Sequence, residues 1–234
     1  MKTFKEYFSE ELVKQPGTQY GSNSGGVHVD DETGEKYYVK HYRNPDQAKV
    51  EALAGKIYKH MGINTLDPEY REINGKPSIV TKWNNSLDTM RPNEYNEVTT
   101  DQAHDLAKMH AAATLTKNWD IVGLEHDNIM RHQNGDLYAI DHGGAFHFRA
   151  QGGPKEYGPD ISERESLVNN DMPSGQVFSH VFDNHEEAKR AGRSSVENID
   201  DEHVESLFRN SGLDNWRDLH RNFMQRKNKF LESE

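Results

Sequence analysis

Strand and helix signals are segregated along this chain, and that segregation restricts the architecture more than any other feature. Val27-His28-Val29 and Tyr37 to Tyr42 alternate as strands on either side of an Asp-Glu-Thr-Gly turn. Val50, Leu53, Ala54, Ile57 and Met61 then recur at helical spacing, with Asn44 or Asp46 as cap, Pro45 near the first turn and Gly62 as stop. A second hairpin turns on Asn74-Gly75, its second arm apolar through Ile79 and Val80. After Trp83 the sequence turns polar, and Asp101 is expected to cap a helix carrying Ala103, Leu106, Ala107, His110 and Ala113. A third hairpin turns on Asn134-Gly135. From about residue 160 the patterns are mostly helical, clearest in Trp216, Leu219, Phe223 and Phe230. The expectation is an α+β fold of two lobes, a small β-rich lobe over residues 1–85 and a larger α-rich lobe over 86–234. The opening segment to about Val13 is expected to form a short amphipathic helix, and residues 149–162 and 169–180 to be loops.

Charge and residue usage narrow the function. Lys and Arg total 28 against 39 Asp and Glu, a formal charge of -11, with no long basic stripe. Nucleic acid and anionic membrane surfaces are therefore not expected partners. The absence of cysteine excludes disulfides, thiolate metal sites and cysteine nucleophiles. No apolar run reaches the ~20 residues that span a bilayer, and the charged start MKTFKEYFSEELVK is unlike a signal peptide, so a cytoplasmic location is expected.

One charge is out of place for packing. Asp141 follows the apolar Leu137-Tyr138-Ala139-Ile140 and leads into Gly143-Gly144, while Asn128 stands ahead of the same hairpin. A hard divalent cation such as Mg2+ takes carboxylate, carboxamide and phosphate oxygens and keeps the rest of its shell as water. Asn128 and Asp141 supply that donor pair, one at each end of a tight hairpin. Phosphoryl transfer further asks for a backbone that approaches phosphates closely, a strand lysine and an acid to orient it. Gly21-Ser22-Asn23-Ser24-Gly25-Gly26 is a candidate phosphate loop, with Ser22, Asn23, Ser24, Gly25 and Gly26 as its contacts. Lys40 sits in strand alternation, and Glu51 lies eleven residues later near the start of the next helix.

These residues resemble a known superfamily. Asp127-Asn128-Ile129-Met130, a short hairpin and then Ile140-Asp141-His142-Gly143 resemble the catalytic segment of phosphatidylinositol 3- and 4-kinases and their protein-kinase relatives, where Asp-Asn-Ile-Met precedes Ile-Asp-Phe-Gly. HipA-type toxin kinases are similar as well. NWDIVGLEHDNIM followed by IDHGGAFHFRAQG looks similar to small kinase-like domains of phage and bacterial genomes. The resemblance covers residues 18–150 and implies a protein-kinase-like fold with ATP and Mg2+ as cofactors. It implies that Lys40 binds phosphates, that Glu51 pairs with Lys40, and that Asn128 and Asp141 hold the metal. Ile79 to Trp83 would be the hinge beside adenine, with Thr81 and Trp83 as contacts.

The loop departs from the family pattern. The catalytic aspartate usually stands five residues before the metal-binding asparagine, a position held here by Gly123, and the nearest upstream aspartate is Asp120. Asp120 is assigned the role of orienting the acceptor hydroxyl, with Gly123 letting the extra residues bulge; Glu125 and Asp127 are fallbacks. The expected activity is transfer of the γ-phosphoryl group to a protein Ser or Thr, with a regulatory protein partner possible. The alternatives are AMP transfer on the same fold and a non-catalytic nucleotide-binding pseudokinase or interaction module, the latter supported by the displaced aspartate.

His126, His142 and His147 cluster near the site, but their spacings match no helical zinc motif. His110, on an apolar helix face, is expected to be a hydrogen-bonded core residue bracing the loop. No G-x-S-x-G elbow is present. Arg149 and Lys155, in FRAQGGPKEYG, stand where kinases keep a substrate loop and are candidates to meet an acidic or phosphorylated partner.

Overall fold

The computed structural model describes residues 12–19, 23–184 and 186–232. Its first part is an antiparallel sheet of β1 (Leu12–Lys14), β2 (Gly25–Asp30), β3 (Lys36–His41), β4 (Glu69–Ile73) and β5 (Lys76–Lys82), in the order β1-β2-β3-β5-β4. Local chemistry makes the turns. Asp30 Oδ1 accepts from the main-chain N–H groups of Glu32 and Thr33 at 3.0 and 2.8 Å, closing β2 onto β3. Asn74 and Gly75 both adopt positive φ, 52° and 71°, as a two-residue hairpin between β4 and β5 requires.

Helix α1 (Pro45–His60) lies between β3 and β4 in sequence. Asn44 caps it, its side chain accepting from Asp46 N at 2.9 Å, and Pro45 opens the first turn. Ala48 and Ala52 of α1 pack with Ile79 of β5 and with Tyr42, just past the end of β3, in a small separate core.

The second part carries β6 (Leu87–Thr89), β7 (Ile129–His132) and β8 (Leu137–Ala139), ordered β6-β7-β8, and α2 (Thr100–Thr116). Thr99 rather than Asp101 caps α2. Its hydroxyl accepts from Gln102 N at 3.2 Å while the Gln102 side chain accepts from Thr99 N at 3.0 Å, a reciprocal pair that Asp101, inside the first turn, cannot make. Then follow α3 (Glu163–Ser166), α4 (Pro173–Asn184), α5 (Glu186–Glu197), α6 (Asp201–Arg209) and α7 (Trp216–Glu232). The fold is thus α+β in two lobes. Among the described residues no helix is long and apolar enough to cross a membrane.

Two expectations need correction. Residues 173–180, expected within a loop, belong to α4, whose Val177, Phe178 and Val181 are buried; this apolar spacing outweighs the Pro and Gly that read as loop. Val13 lies in strand β1 rather than in a helix, and the segment ahead of Leu12 falls outside the described residues. Residues 149–162 are irregular apart from one bridge between Phe148 and Pro154.

The helical part is organised around α2, which buries Leu106, Ala107, Met109 and Ala111 to Leu115. Gly192 lets α5 cross it closely, since a Cβ there would lie 2.9 Å from Ala107 O. From α7, Arg226 is completely buried and donates to the carbonyls of Thr114, Gly158 and Asp160 while pairing with Glu163. The loop ahead of α3 is thereby tied to two helices. Leu219, Phe223 and Phe230 are buried, with Trp216 partly so. His110 is buried as expected, but its Nε2 meets the Arg164 carbonyl of α3 at 3.0 Å and so braces that turn, not the 116–127 loop.

Candidate active site

Strand alternation sends Lys40 to the face of β3 opposite Val39, which is fully buried. Its Nζ lies 3.2 Å from Glu51 Oε2 and 2.6 Å from Asp141 Oδ1. Glu51 faces the sheet from α1, and the hydroxyl of Tyr42, two residues beyond Lys40, donates to the same carboxylate oxygen. Burial opposes the Lys40 charge, yet Glu51 and Asp141 outweigh it and hold the ammonium protonated well above its ordinary range. Burial pushes the Glu51 carboxyl up despite Lys40. Asp141 also meets a desolvation cost, but Lys40 and the Gly143 N–H overcome it and bring its pKa below the usual value.

The hairpin delivers Asp141 as its pattern implied. Asn128 O accepts from Ile140 N at 2.9 Å, pairing the two ends. Asp141 takes a left-handed conformation, φ 54°, and Gly143 follows. A Cβ on Gly143 would come within 2.5 Å of the Tyr42 hydroxyl and 3.2 Å of Glu51 Oε2, so the residue must be glycine for the hairpin to press against the Lys40–Glu51 pair.

The longer loop folds back on itself. Gly123, at φ 81°, donates to Asp120 O, His126 N donates to Gly123 O, and Asn128 N reaches Val122 O. A Cβ at Gly123 would stand 2.3 Å from Asp127 Oδ1. The bulge returns Asp120 to Asn128, whose Nδ2 donates to Asp120 O at 2.7 Å and lies 3.4 Å from Asp120 Oδ2. Asn118 fixes the start of the loop by accepting from Asp120 N at 3.1 Å. Burial, then the negative charges of Asp141 and Asp127, raise the Asp120 carboxyl to about 6. Glu125 and Asp127 are exposed.

The donors here fit a hard divalent cation. Asp141 keeps 41% of its side-chain surface open, and anchoring the Asn128 amide nitrogen on Asp120 O leaves its oxygen to coordinate. The Asp120 carboxyl is raised first by burial and then by the negative charges of Asp141 and Asp127 beside it. Among the described residues no three His, Cys, Asp or Glu side chains form a metal-ligating group.

Other expected contacts sit differently. Gly25 and Gly26 open β2 opposite Lys40 and Val39 instead of lying in the loop, because Cα hydrogens alone fit there: a Cβ at Gly25 would be 2.0 Å from Val39 O. Asn23 and Ser24 precede them in a bend, and Ser24 O accepts from His41 N; Ser22 lies outside the described residues. Thr81 pairs with Tyr38 and therefore shares the Lys40 face of the sheet. The stretch Ile79 to Trp83, expected as the hinge whose backbone meets adenine, lies in β5 as far as Lys82. Thr81 is paired across β3 and Trp83 N donates to Lys36 O at 2.9 Å. The chain leaves the sheet after Trp83, whose ring lies 6.3 Å from that of Tyr38.

Among the described residues the histidines join no group of three metal-ligating side chains. His142 is buried against the Tyr58 ring, 4.5 Å between centroids, and burial lowers its pKa to about 4. Lys155, named above as a candidate to meet an acidic or phosphorylated partner, is largely enclosed. It is 9% exposed and donates to Lys117 O and, at 2.6 Å, to Gly144 O. Three supports escaped sequence reading. Tyr42 was legible from its i, i+2 relation to Lys40; Gln47, donating to Gly143 O at 3.2 Å, and Asn118 carried no local signal.

No family model matches the sequence, and no curated protein matches it either. Among solved structures, the proinflammatory kinase CtkA of Helicobacter pylori superposes with a TM-score of 0.60 over 94% of each chain, at 13% identity. The fold is protein-kinase-like. Choline kinase LicA of Streptococcus pneumoniae gives a TM-score of 0.45 at 16% identity over 98% of each chain. LicA in complex with AMP gives 0.42 at 12% identity, over 98% of this chain and 95% of that one. Within this kinase-like fold Lys40, Glu51, Asp120, Asn128 and Asp141 gather where the sheet meets the β7–β8 hairpin.

Proposed function

We propose that this chain is an ATP- and Mg2+-dependent phosphotransferase that modifies a Ser or Thr hydroxyl of a protein. The observation that carries the reading is Lys40 held between Glu51 and Asp141, an arrangement that packing alone does not call for. An ammonium fixed in this way counters phosphate charge at a constant position, and such catalysis is mostly positioning and charge neutralisation.

Asn128 and Asp141 are the residues that would hold magnesium, which when bound offsets charge on the phosphate oxygens. Lys40 meets the phosphates and Glu51 keeps it extended. Asp120, with a pKa of about 6, is ionised at neutral pH and orients the acceptor hydroxyl. In the transfer, the acceptor oxygen forms a bond to the γ-phosphorus while the bond from that phosphorus to the β–γ bridging oxygen breaks. ADP leaves with the electron pair, and the hydroxyl proton passes to the Asp120 carboxylate. Asn23 and Ser24, in the bend ahead of β2, are the described part of the phosphate loop, and Gly25 and Gly26 open the strand behind them, next to Lys40.

The test is incubation of the purified chain with γ-labelled ATP, magnesium and a cell lysate. Label should enter protein with wild type and be lost with Asp141→Asn. Equal labelling by both overturns the reading. A product heavier by an adenylyl group instead of a phosphoryl group reassigns the transferred group.

A further inference from the structure

A pocket of about 160 Å3 is lined on one side by Asp120 and extends from it over residues to which no role has been given above. Trp119, next to Asp120 in the chain, forms one wall, and three cations surround its ring. Lys155 Nζ is 4.8 Å from the ring centroid, Arg149 Cζ 5.4 Å and Lys117 Nζ 5.5 Å. This is a concentration of positive charge on a molecule of net charge -11.

Among the described residues the nearby carboxylates leave Lys155 and Arg149 without an ion pair, and Asp120, which lines the pocket, pairs with neither of them. Glu163 is already shared between Lys117, at 3.4 Å, and the buried Arg226. Lys155 finds only carbonyl oxygens. Arg149 is exposed, and among the described residues no carboxylate lies within ion-pair distance of its guanidinium. The rim differs in kind. Four large apolar side chains are exposed among the described residues, and three of them, Trp119, Leu124 and Met172 at 38, 69 and 45%, line this one pocket. Apolar surface gathered around unneutralised cations fits a ligand with an acidic group and an apolar neighbour.

We propose that this pocket seats the acceptor segment of a protein substrate, with an acidic side chain at Arg149 and Lys155 and an apolar residue on Trp119, Leu124 and Met172. The acceptor hydroxyl then lies toward Asp120, which is itself a lining residue. This placement of the hydroxyl rests on the phosphotransferase reading; seating of the acidic segment does not. The lowered pKa of Lys155, to about 7 through burial and then Lys117, accords with a site short of one negative charge.

Fluorescence anisotropy of short labelled peptides, with Ser flanked by Asp and Leu or by Lys and Leu, tests the pocket without catalysis. The Asp peptide should bind wild type about fivefold or more tighter than the Lys peptide, and Arg149→Glu should reverse that order. Leu124→Ser should weaken the Leu-bearing Asp peptide and leave an Ala counterpart unmoved. Equal binding of both peptides, or an order that Arg149→Glu does not alter, overturns the proposal. Phosphate transfer onto the same peptides is scored separately. Acidic-peptide binding without transfer in the wild type supports the pocket while overturning the phosphotransferase reading. Transfer with no acidic preference overturns the pocket and leaves that reading standing.

Discussion

Lys40 Nζ lies closer to Asp141 Oδ1, at 2.6 Å, than to Glu51 Oε2, at 3.2 Å. One ammonium thus joins the sheet, α1 and the β7–β8 hairpin, and its removal leaves two carboxylates with no cation between them. Lys40→Met is expected to abolish transfer and to destabilise the fold by about 3 kcal/mol. Glu51 already has a raised pKa, so in the variant it takes a proton more readily still. A raised acid favours the folded state as pH falls through its folded value and loses that contribution as pH rises. The gap in Tm between wild type and Lys40→Met should therefore be smaller at pH 5 than at pH 8. A gap independent of pH would separate Lys40 from the two carboxylates energetically.

Asp141→Asn separates chemistry from folding. Asn tolerates the left-handed conformation that Asp141 adopts at φ 54°, so the backbone is not strained by the change. Transfer should fall by about 100-fold or more, while stability falls by only about 1 kcal/mol, because the contact with Lys40 is weakened but Glu51 still neutralises that ammonium. Asp141→Ala places a less suitable residue at the same φ and should cost about 1 kcal/mol further, read by thermal denaturation.

Much of this arrangement was legible because it is written in local signals. The Asn74-Gly75 and Asn134-Gly135 turns, the Asn44 cap and the alternation about Lys40 each depend on neighbours in sequence, and the hairpin between Asn128 and Asp141 follows from its turn. What sequence missed depends on distant chain. Lys155 reads as a loop lysine until Lys117 O and Gly144 O, 38 and 11 residues away, close over it. The cap of α2 went to Thr99 because a reciprocal bond with Gln102 outcompetes a lone Asp101. Helix α4 was hidden by Pro173 and Gly175, although its apolar spacing was present. Motif position does not say where a sheet ends, and β5 runs through Thr81 to Lys82, one residue short of Trp83.

Gly143 and Tyr42 should be energetically coupled. A methyl group at position 143 would stand 2.5 Å from the Tyr42 hydroxyl, so Gly143→Ala forces apart the hairpin and the Lys40–Glu51 pair. The expected cost is about 1–3 kcal/mol of stability, with a loss of transfer. Tyr42→Phe removes the obstructing oxygen and one hydrogen bond to Glu51. The double variant should be less damaged than the sum of the single variants, a coupling that a double-mutant cycle in urea would measure. Simple additivity would mean that the hairpin moves without disturbing Tyr42.

Arg226 should matter to stability far more than to chemistry. It is completely buried, satisfies carbonyls of Thr114, Gly158 and Asp160, and neutralises Glu163. Arg226→Met leaves those carbonyls without their donor and Glu163 with only Lys117 and Trp119, each at 3.4 Å, a change that costs about 3 kcal/mol. Thermal unfolding checks this, and a loss below about 1 kcal/mol would mean that water or Lys117 replaces the guanidinium.

The pH profile of transfer tests Asp120 as the group that takes the hydroxyl proton. With its carboxyl at about 6, raised by burial and by Asp141 and Asp127, the ionised form is lost below that pH. Activity as kcat/KM should rise with pH and level off above a midpoint no higher than about 6, since a bound divalent cation favours the carboxylate and moves the midpoint down. The stability contribution has the opposite sense. Between the ordinary carboxyl value and about 6 the folded state binds more protons than the unfolded chain, so rising pH through this window lowers stability. Asp120→Asn should flatten both curves and reduce transfer by about 100-fold or more. A profile unchanged in Asp120→Asn, with activity retained, would pass the role to Asp127 or Glu125, the other acids of the lengthened loop.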